Sequence, residues 1–185
     1  MKTVIRKAYW NYEKEEKWLN EMSANGLALT DYSWCRYVFA DCRPGEYIYR
    51  IDLLKNAPAH PESRKYLSFM EENHIEHVAS YMRWVYFRKK ASDGAFDIYS
   101  DIDSKISHYQ RVFLLWMCAA FAELAIGVSN LSLGVIYNIS SLDSLLHVNL
   151  ILGAVVTALG LLFLTLGLSV RKKIKTLMSE KRIRA

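Results

Sequence analysis

Two long apolar stretches in the second half of the chain limit what this sequence can fold into. They run from Val112 to Tyr137 and from Leu145 to Val170, with the polar residues 138–144 between them. Each is near or above the ~20 apolar residues that a helix needs to cross a bilayer. A backbone in lipid must satisfy its own hydrogen bonds, and a helix does so. The sequence therefore predicts a two-helix transmembrane hairpin with an extracytoplasmic turn at 138–144.

The charges predict how this hairpin is oriented. Residues 1–111 hold 17 Lys/Arg and 16 Asp/Glu, whereas the tail 171–185 holds seven Lys/Arg and one Glu. Basic residues flank both outer ends of the hairpin, and the connecting turn has none. The positive-inside rule then places both termini in the cytoplasm, as for a multi-pass protein of the cell membrane. A basic tail at the bilayer surface suits anionic lipid and is poor evidence for nucleic-acid binding.

The first 100 residues alternate between strand and helix patterns. Strands are predicted at 2–10, 27–40, 47–53 and 77–88, with a short further strand at 95–99, and helices at 12–25 and 61–73. The order strand, helix, strand, strand, helix, strand is that of a ferredoxin-like βαββαβ domain. We therefore expect an α+β cytoplasmic domain with one antiparallel sheet and two helices on one of its faces. The sequence shows no internal repeat.

A helical stalk is predicted to join this domain to the membrane. Ile102, Ile106, Tyr109 and Phe113 recur at helical spacing, so residues 101–111 should continue into the first span without a break. The predicted organisation is a domain at 1–100, a stalk at 101–111, spans at 112–137 and 145–170, the turn at 138–144 and a basic cytoplasmic tail at 171–185.

Glu123 is a carboxylate within the first span, where a charge costs at least a few kcal/mol. Small residues that let helices approach closely lie beside it and on the second span: Gly127, Gly153, Gly160 and Gly167. We expect Glu123 to be protonated and bonded to Thr157, which lies at similar depth, or to the backbone. Two alternatives remain open: contact with another subunit, since a homo-oligomer is possible, and ion or proton transport, which would require an oligomer.

The aromatic side chains Tyr32, Trp34 and Trp84 are candidates for a partner or ligand face on the domain. The alternative is ordinary strand propensity and core packing. An RNA-binding sheet is not favoured, because the strand Tyr47–Leu53 lacks the glycine-aromatic pattern of that module and the domain charge is near balance. We expect no nucleic-acid partner.

The sequence contains no recognisable catalytic motif. The five histidines are scattered, and the three cysteines form no metal pattern. His74 and His77 lie near three glutamates, but a solvated turn explains this pair better than a metal site. We therefore expect no catalytic residue, no cofactor and no metal, and a protein that is not an enzyme.

Several stretches together resemble a known family: Tyr12–Met22 with Gly26, Arg36–Phe39, Pro44–Asp52, Tyr86–Lys90, and Phe96–Asp101 with Ser104–Ile106. They are similar to the Firmicutes membrane-protein family catalogued as domain of unknown function 2812. The resemblance covers about residues 1–112 and implies membrane helices after it. Members have no established activity and are often encoded beside PadR-type transcriptional regulators, which implies a regulatory setting.

We expect a membrane-anchored regulatory or adaptor protein. Its cytoplasmic domain would bind a protein partner, such as a PadR-type or other transcriptional regulator or a transporter subunit. The alternative is a membrane-tethered sensor of a small apolar or cationic ligand, held against the aromatic sheet face.

Overall fold

A computed structural model describes residues 2–99, 101–139 and 143–184 of the chain. The chain divides into two compact units, residues 1–100 (unit 1) and 101–185 (unit 2). Unit 1 is α+β, as predicted, and unit 2 consists of long helices.

Unit 1 contains two three-stranded antiparallel sheets and two helices. Its elements in chain order are β1 Lys2–Arg6, α1 Tyr12–Ala24, β2 Leu27–Ser33, β3 Arg36–Asp41, β4 Tyr47–Leu53, α2 Pro61–Glu72, β5 Glu76–Tyr81 and β6 Trp84–Lys90. The first sheet has the order β1-β3-β2, and the second has the order β4-β6-β5. A short 3₁₀ turn, Ala91–Asp93, follows β6.

The ferredoxin-like order is not confirmed, because two of the predicted strands are hairpins. The segment 27–40 turns at Trp34-Cys35, and the segment 77–88 turns at Met82-Arg83. Cys35 and Met82 have φ angles of 57° and 54°, which glycine or asparagine would normally supply in a turn. Without those residues, sequence patterning reads each hairpin as one long strand. Residues 95–99 form no strand in the described structure.

Unit 1 is built from two βαββ repeats, contrary to the expectation of no repeat. Each repeat is a strand, a helix and a hairpin, and in each the last strand lies in the middle of its sheet. The motif Lys17-Trp18-Leu19-x-x-Met22-x-x-Asn25 aligns without a gap with Lys65-Tyr66-Leu67-x-x-Met70-x-x-Asn73. The next residues, Gly26 and His74, both adopt positive φ, and both β2 and β5 carry a register shift against their partner strand.

Helix α1 covers the free edge of β4 with polar side chains. Asn20 donates to the carbonyl of Tyr49 at 3.1 Å and accepts from its N–H at 2.9 Å. Ser23 Oγ donates to the carbonyl of Tyr47 and accepts from its N–H. Glu16 accepts from the N–H of Ile51. The helix thus satisfies backbone groups that would otherwise leave an open sheet edge.

Unit 2 consists of α3, Ile102–Ile139, and α4, Asp143–Arg184. Helix α3 runs without a break from the predicted stalk through the first apolar stretch. The basic residues from 171 onwards continue α4. Both helices are long and apolar enough to cross a membrane. The predicted turn 138–144 overlaps the helix ends, and its residues 140–142 lie outside the described residues.

Candidate functional site

A buried carboxylate at the junction of the two repeats is the most distinctive polar feature of unit 1. Glu15 lies on α1 and is only 6% exposed. Its Oε1 accepts hydrogen bonds from the hydroxyl of Tyr37 at 2.7 Å and of Tyr86 at 2.8 Å. Tyr37 belongs to the first repeat and Tyr86 to the second. The ring of Tyr32 lies 4.7 Å from that of Tyr37 and 4.6 Å from that of Tyr86. We call Glu15, Tyr32, Tyr37 and Tyr86 the Glu15 cluster.

Burial controls the protonation of the Glu15 cluster. It raises the pKa of Glu15, while the two tyrosine hydroxyls act in the opposite direction by stabilising the carboxylate. Burial and the neighbouring carboxylate also raise the pKa of Tyr37 and of Tyr86. The tyrosines therefore remain hydrogen-bond donors. A carboxylate surrounded by aromatic rings also has the chemistry that attracts an organic cation.

The structure does not present the three predicted aromatic residues together on one exposed face. Tyr32 is half-buried within the Glu15 cluster, and Trp84 packs against Tyr12 with ring centroids 5.4 Å apart. Trp34 lies in the β2–β3 turn and is 75% exposed. Of the three, Trp34 is the one that presents a large exposed surface, and it does so from a turn and not from a sheet face.

A depression of about 380 Å³ lies beside the last turn of α2, where β4 and β5 begin and β6 ends. Its lining includes Glu71, His74, Glu76, Arg88 and Lys90. Arg88 forms a two-pronged ion pair with Glu76, at 2.8 Å and 2.7 Å. The rim therefore carries charges of both signs. Such a depression is better suited to binding a polar protein surface than to binding a simple anion.

Glycine positions hold the two helices of unit 2 together. A Cβ on Gly153 would meet Leu131, and one on Gly160 would meet Leu124. Gly134 faces Leu150 in the same way. Large side chains of one helix thus sit against glycines of the other, seven residues apart, as small-residue packing predicts.

Gly127 and Gly167 lie on the same seam, which we call the glycine seam. A Cβ on Gly127 would clash with Thr157 Oγ1, and one on Gly167 would lie 2.9 Å from Met117 Sδ. The seam runs between antiparallel helices, and at its outer end Lys181 Nζ pairs with Asp103 Oδ1 at 2.6 Å.

The structure does not contain the expected bond between Glu123 and Thr157. Thr157 Oγ1 is buried without a hydrogen-bond partner, because it lies against Gly127. Glu123 is half-buried, one helical turn before Gly127. The register of the helix pair explains the difference: Thr157 lies opposite Gly127, one helical turn beyond Glu123, so the two side chains are not at the same depth.

No group of three potential metal ligands occurs among the described residues. The described cysteines are free. His74 lies at the α2–β5 turn, and His77 Nε2 lies 2.7 Å from Ser80 Oγ.

Sequence reasoning missed Glu15 and the polar side chains that cover β4. Glu16, within the charged run of α1, accepts a hydrogen bond from the backbone N–H of Ile51. The spacing of Glu16, Asn20 and Ser23 places them on one side of the helix, which was the available signal.

These features define a class of protein: a compact α+β unit of two βαββ repeats, followed by two apolar helices of membrane-crossing length. The chain belongs to the family described as "Protein of unknown function (DUF2812)", whose model matches residues 11–121. The match begins at the cap of α1 and ends within α3, so the predicted resemblance is confirmed. No curated protein and no solved structure matches the chain.

Proposed function

We propose that this protein is a membrane-anchored adaptor whose unit 1 binds a protein partner in the cytoplasm. The observation that supports the proposal is the division of the chain into a helix pair of membrane-crossing length and a separate compact unit. This unit exposes the aromatic ring of Phe69. The partner classes that we propose are a transcriptional regulator, such as a PadR-type protein, and a transporter subunit.

Membrane insertion as a hairpin is supported by the glycine seam and by the ion pair of Asp103 with Lys181. Charged residues at the outer ends of α3 and α4 lie close together, whereas the glycine-lined middle is largely apolar and contains the ionisable residue Glu123. With the basic residues from Arg171 onwards beside the cytoplasmic leaflet, both termini would lie in the cytoplasm.

The partner surface that we propose lies at the end of α2. Phe69, in the last turn of α2, is 58% exposed. The depression with charges of both signs begins in the same turn, at Glu71. Exposed aromatic anchors and complementary charges both contribute to many protein interfaces.

The test is affinity capture of tagged full-length protein from native membranes, with quantitative mass spectrometry. Wild type and Trp34→Ser should retain the same partner, whereas Phe69→Ser should reduce its recovery by about tenfold or more. Trp34→Ser is the matched control because it also removes an exposed aromatic ring. Equal recovery by all three proteins, or no enriched protein with the wild type, would contradict the proposal.

A second candidate function, sensing of an organic cation, rests on the Glu15 cluster. A ligand would have to displace Tyr32 to reach Glu15, because the ring of Tyr32 packs against Tyr37 and Tyr86. Quaternary ammonium compounds should then raise the melting temperature of the wild type by mass action and leave that of Glu15→Gln unchanged. The adaptor function predicts no shift for either protein.

A further inference from the structure

One end of unit 1 carries two exposed apolar turns. Trp34 in the β2–β3 turn and Met82 in the β5–β6 turn are each 75% exposed, more than any other large apolar side chain described in this unit. The rings of Tyr32 and Tyr81, which lie next to the turns, are 5.9 Å apart. The two turns, which are equivalent in the two repeats, therefore lie side by side.

Basic residues surround these turns. Arg6 is the register partner of Arg36, and the next N–H, of Lys7, donates to the carbonyl of Cys35. On the other repeat, Arg83 Nη1 donates to the carbonyl of Lys55. We call the resulting surface the turn face: Arg6, Trp34, Arg36, Lys55, Met82 and Arg83.

Three acidic residues near the turn face have partners, and one of them, Asp52, is buried and accepts a hydrogen bond from Tyr99. Asp31 pairs with Arg36 at 3.5 Å, and Glu62 accepts a hydrogen bond from Asn56. The four basic side chains of the turn face outnumber these carboxylates, of which Asp31 and Glu62 are exposed, although residues 1–111 as a whole are nearly balanced in charge.

The chain also leaves unit 1 at this end. Strand β6 ends at Lys90, at the far end of the sheet, opposite Tyr47. The chain then returns along β4, because Arg50 lies 5.8 Å from the ring of Phe96 and the hydroxyl of Tyr99 donates to Asp52 at 2.6 Å. Asp52 precedes Leu53, whose pairing with Trp84 is the last one between β4 and β6, so Asp52 lies beside the β5–β6 turn.

We propose that the turn face binds an anionic lipid surface. Tryptophan prefers the membrane–water interface, and basic side chains near a membrane are attracted by anionic headgroups. Because α3 begins at Ile102, three residues after Tyr99, insertion of α3 would tether unit 1 to the membrane and so raise the effective concentration of the turn face there. This inference rests on the proposed insertion of α3 and α4.

The test uses full-length protein in nanodiscs of phosphatidylcholine, alone or with phosphatidylglycerol, and hydrogen exchange read by mass spectrometry. Amides of the two turns should exchange about tenfold more slowly when phosphatidylglycerol is present. The double variant Trp34→Ser, Met82→Ser should lose this protection. Phe69→Ser, which removes an exposed aromatic ring elsewhere, should keep it.

The helices provide an internal control. Slow exchange in the apolar parts of α3 and α4 reports insertion, so failure of the membrane anchor shows up as fast exchange there. With the helices protected, equal exchange of the turns in the two lipid compositions overturns the proposal. Protection that arises only when a captured protein partner is added also overturns it, and assigns the turn face to that partner.

Discussion

The hydroxyl of Tyr86 donates a 2.8 Å hydrogen bond to Glu15 Oε1 and thereby joins β6 of the second repeat to α1 of the first. Tyr37 donates to the same oxygen from within the first repeat. Burying a carboxylate costs free energy unless it is hydrogen-bonded, so the hydrogen bonds from the two hydroxyls offset part of the cost of burying Glu15. The Glu15 cluster therefore couples the stability of one repeat to that of the other.

Tyr86→Phe should destabilise unit 1. Removing one donor leaves Glu15 with a single tyrosine hydroxyl, which should cost about 1–3 kcal/mol in the free energy of unfolding. Chemical denaturation of full-length protein in detergent, followed by near-ultraviolet circular dichroism, measures the loss. Tyr81→Phe, a hydroxyl deletion on a neighbouring ring, is the control and should change stability by less than about 0.5 kcal/mol. Similar losses for both variants would argue against a special role for the Glu15 bond.

Glu15→Gln should change how stability depends on pH. Burial raises the pKa of Glu15 above its ordinary value of 4.5, so the folded protein holds this proton more tightly than the unfolded chain does. In the wild type, proton binding to Glu15 therefore stabilises the folded state fully below pH 4.5. This stabilisation is lost as the pH rises through the pKa that Glu15 has in the folded protein.

The melting temperature of Glu15→Gln relative to wild type should thus increase as the pH is raised from 4.5 towards neutral. Other carboxyl groups are present in both proteins and largely cancel in the difference. A difference that stays constant with pH would show that Glu15 does not titrate differently in the folded and unfolded states.

Asn20→Ala should open the covered edge of β4. It removes both hydrogen bonds to the backbone of Tyr49 and should cost about 2–4 kcal/mol. Hydrogen exchange at the Tyr49 amide should accelerate. Asn20→Asp keeps the acceptor for that N–H and loses the donor to the carbonyl, so we expect an intermediate stability. No change in Tyr49 exchange would mean that α1 does not protect this edge.

His74→Gly should stabilise unit 1. His74 has a φ of 61°, at the position where the first repeat has Gly26 with a φ of 80°. A side chain in this region costs roughly 1 kcal/mol, which glycine avoids. Thermal unfolding of full-length protein measures the gain. Asn73→Gly, at a φ of −93°, is the matched control and should give no gain.

Gly127→Ala should disrupt the glycine seam. The new Cβ would meet the backbone nitrogen of Thr157 at 2.8 Å as well as its side chain, so the helices would have to move apart. We expect a loss of roughly 1–3 kcal/mol, measured by thermal unfolding in detergent.

Gly167→Ala provides the comparison for this substitution. Its Cβ would meet the flexible end of Met117, which can rotate away. It should therefore destabilise the helix pair much less than Gly127→Ala. Equal effects of the two substitutions would show that the close approach at Thr157 does not limit the packing.

Part of the site could be predicted because it depends on local pattern. The seven-residue spacing of Gly153, Gly160 and Gly167 is visible in the sequence, and a Cβ on each of them would meet a side chain of α3. The grouping of Tyr32, Trp34 and Trp84 did not hold, because it assumed that all three lie in strands of one open sheet. Two hairpins without glycine in their turns changed both the strand count and the direction of each side chain.

The sequence by itself determined the apolar helices, the α+β character of the first 100 residues and the family. These depend on composition and on periodicities that local chain geometry imposes. Only the tertiary structure decided the two-sheet arrangement, the βαββ repeats and the burial of Glu15. The physical reason is that Tyr86 lies 71 residues from Glu15 along the chain, and no local pattern can report a bond formed over that separation.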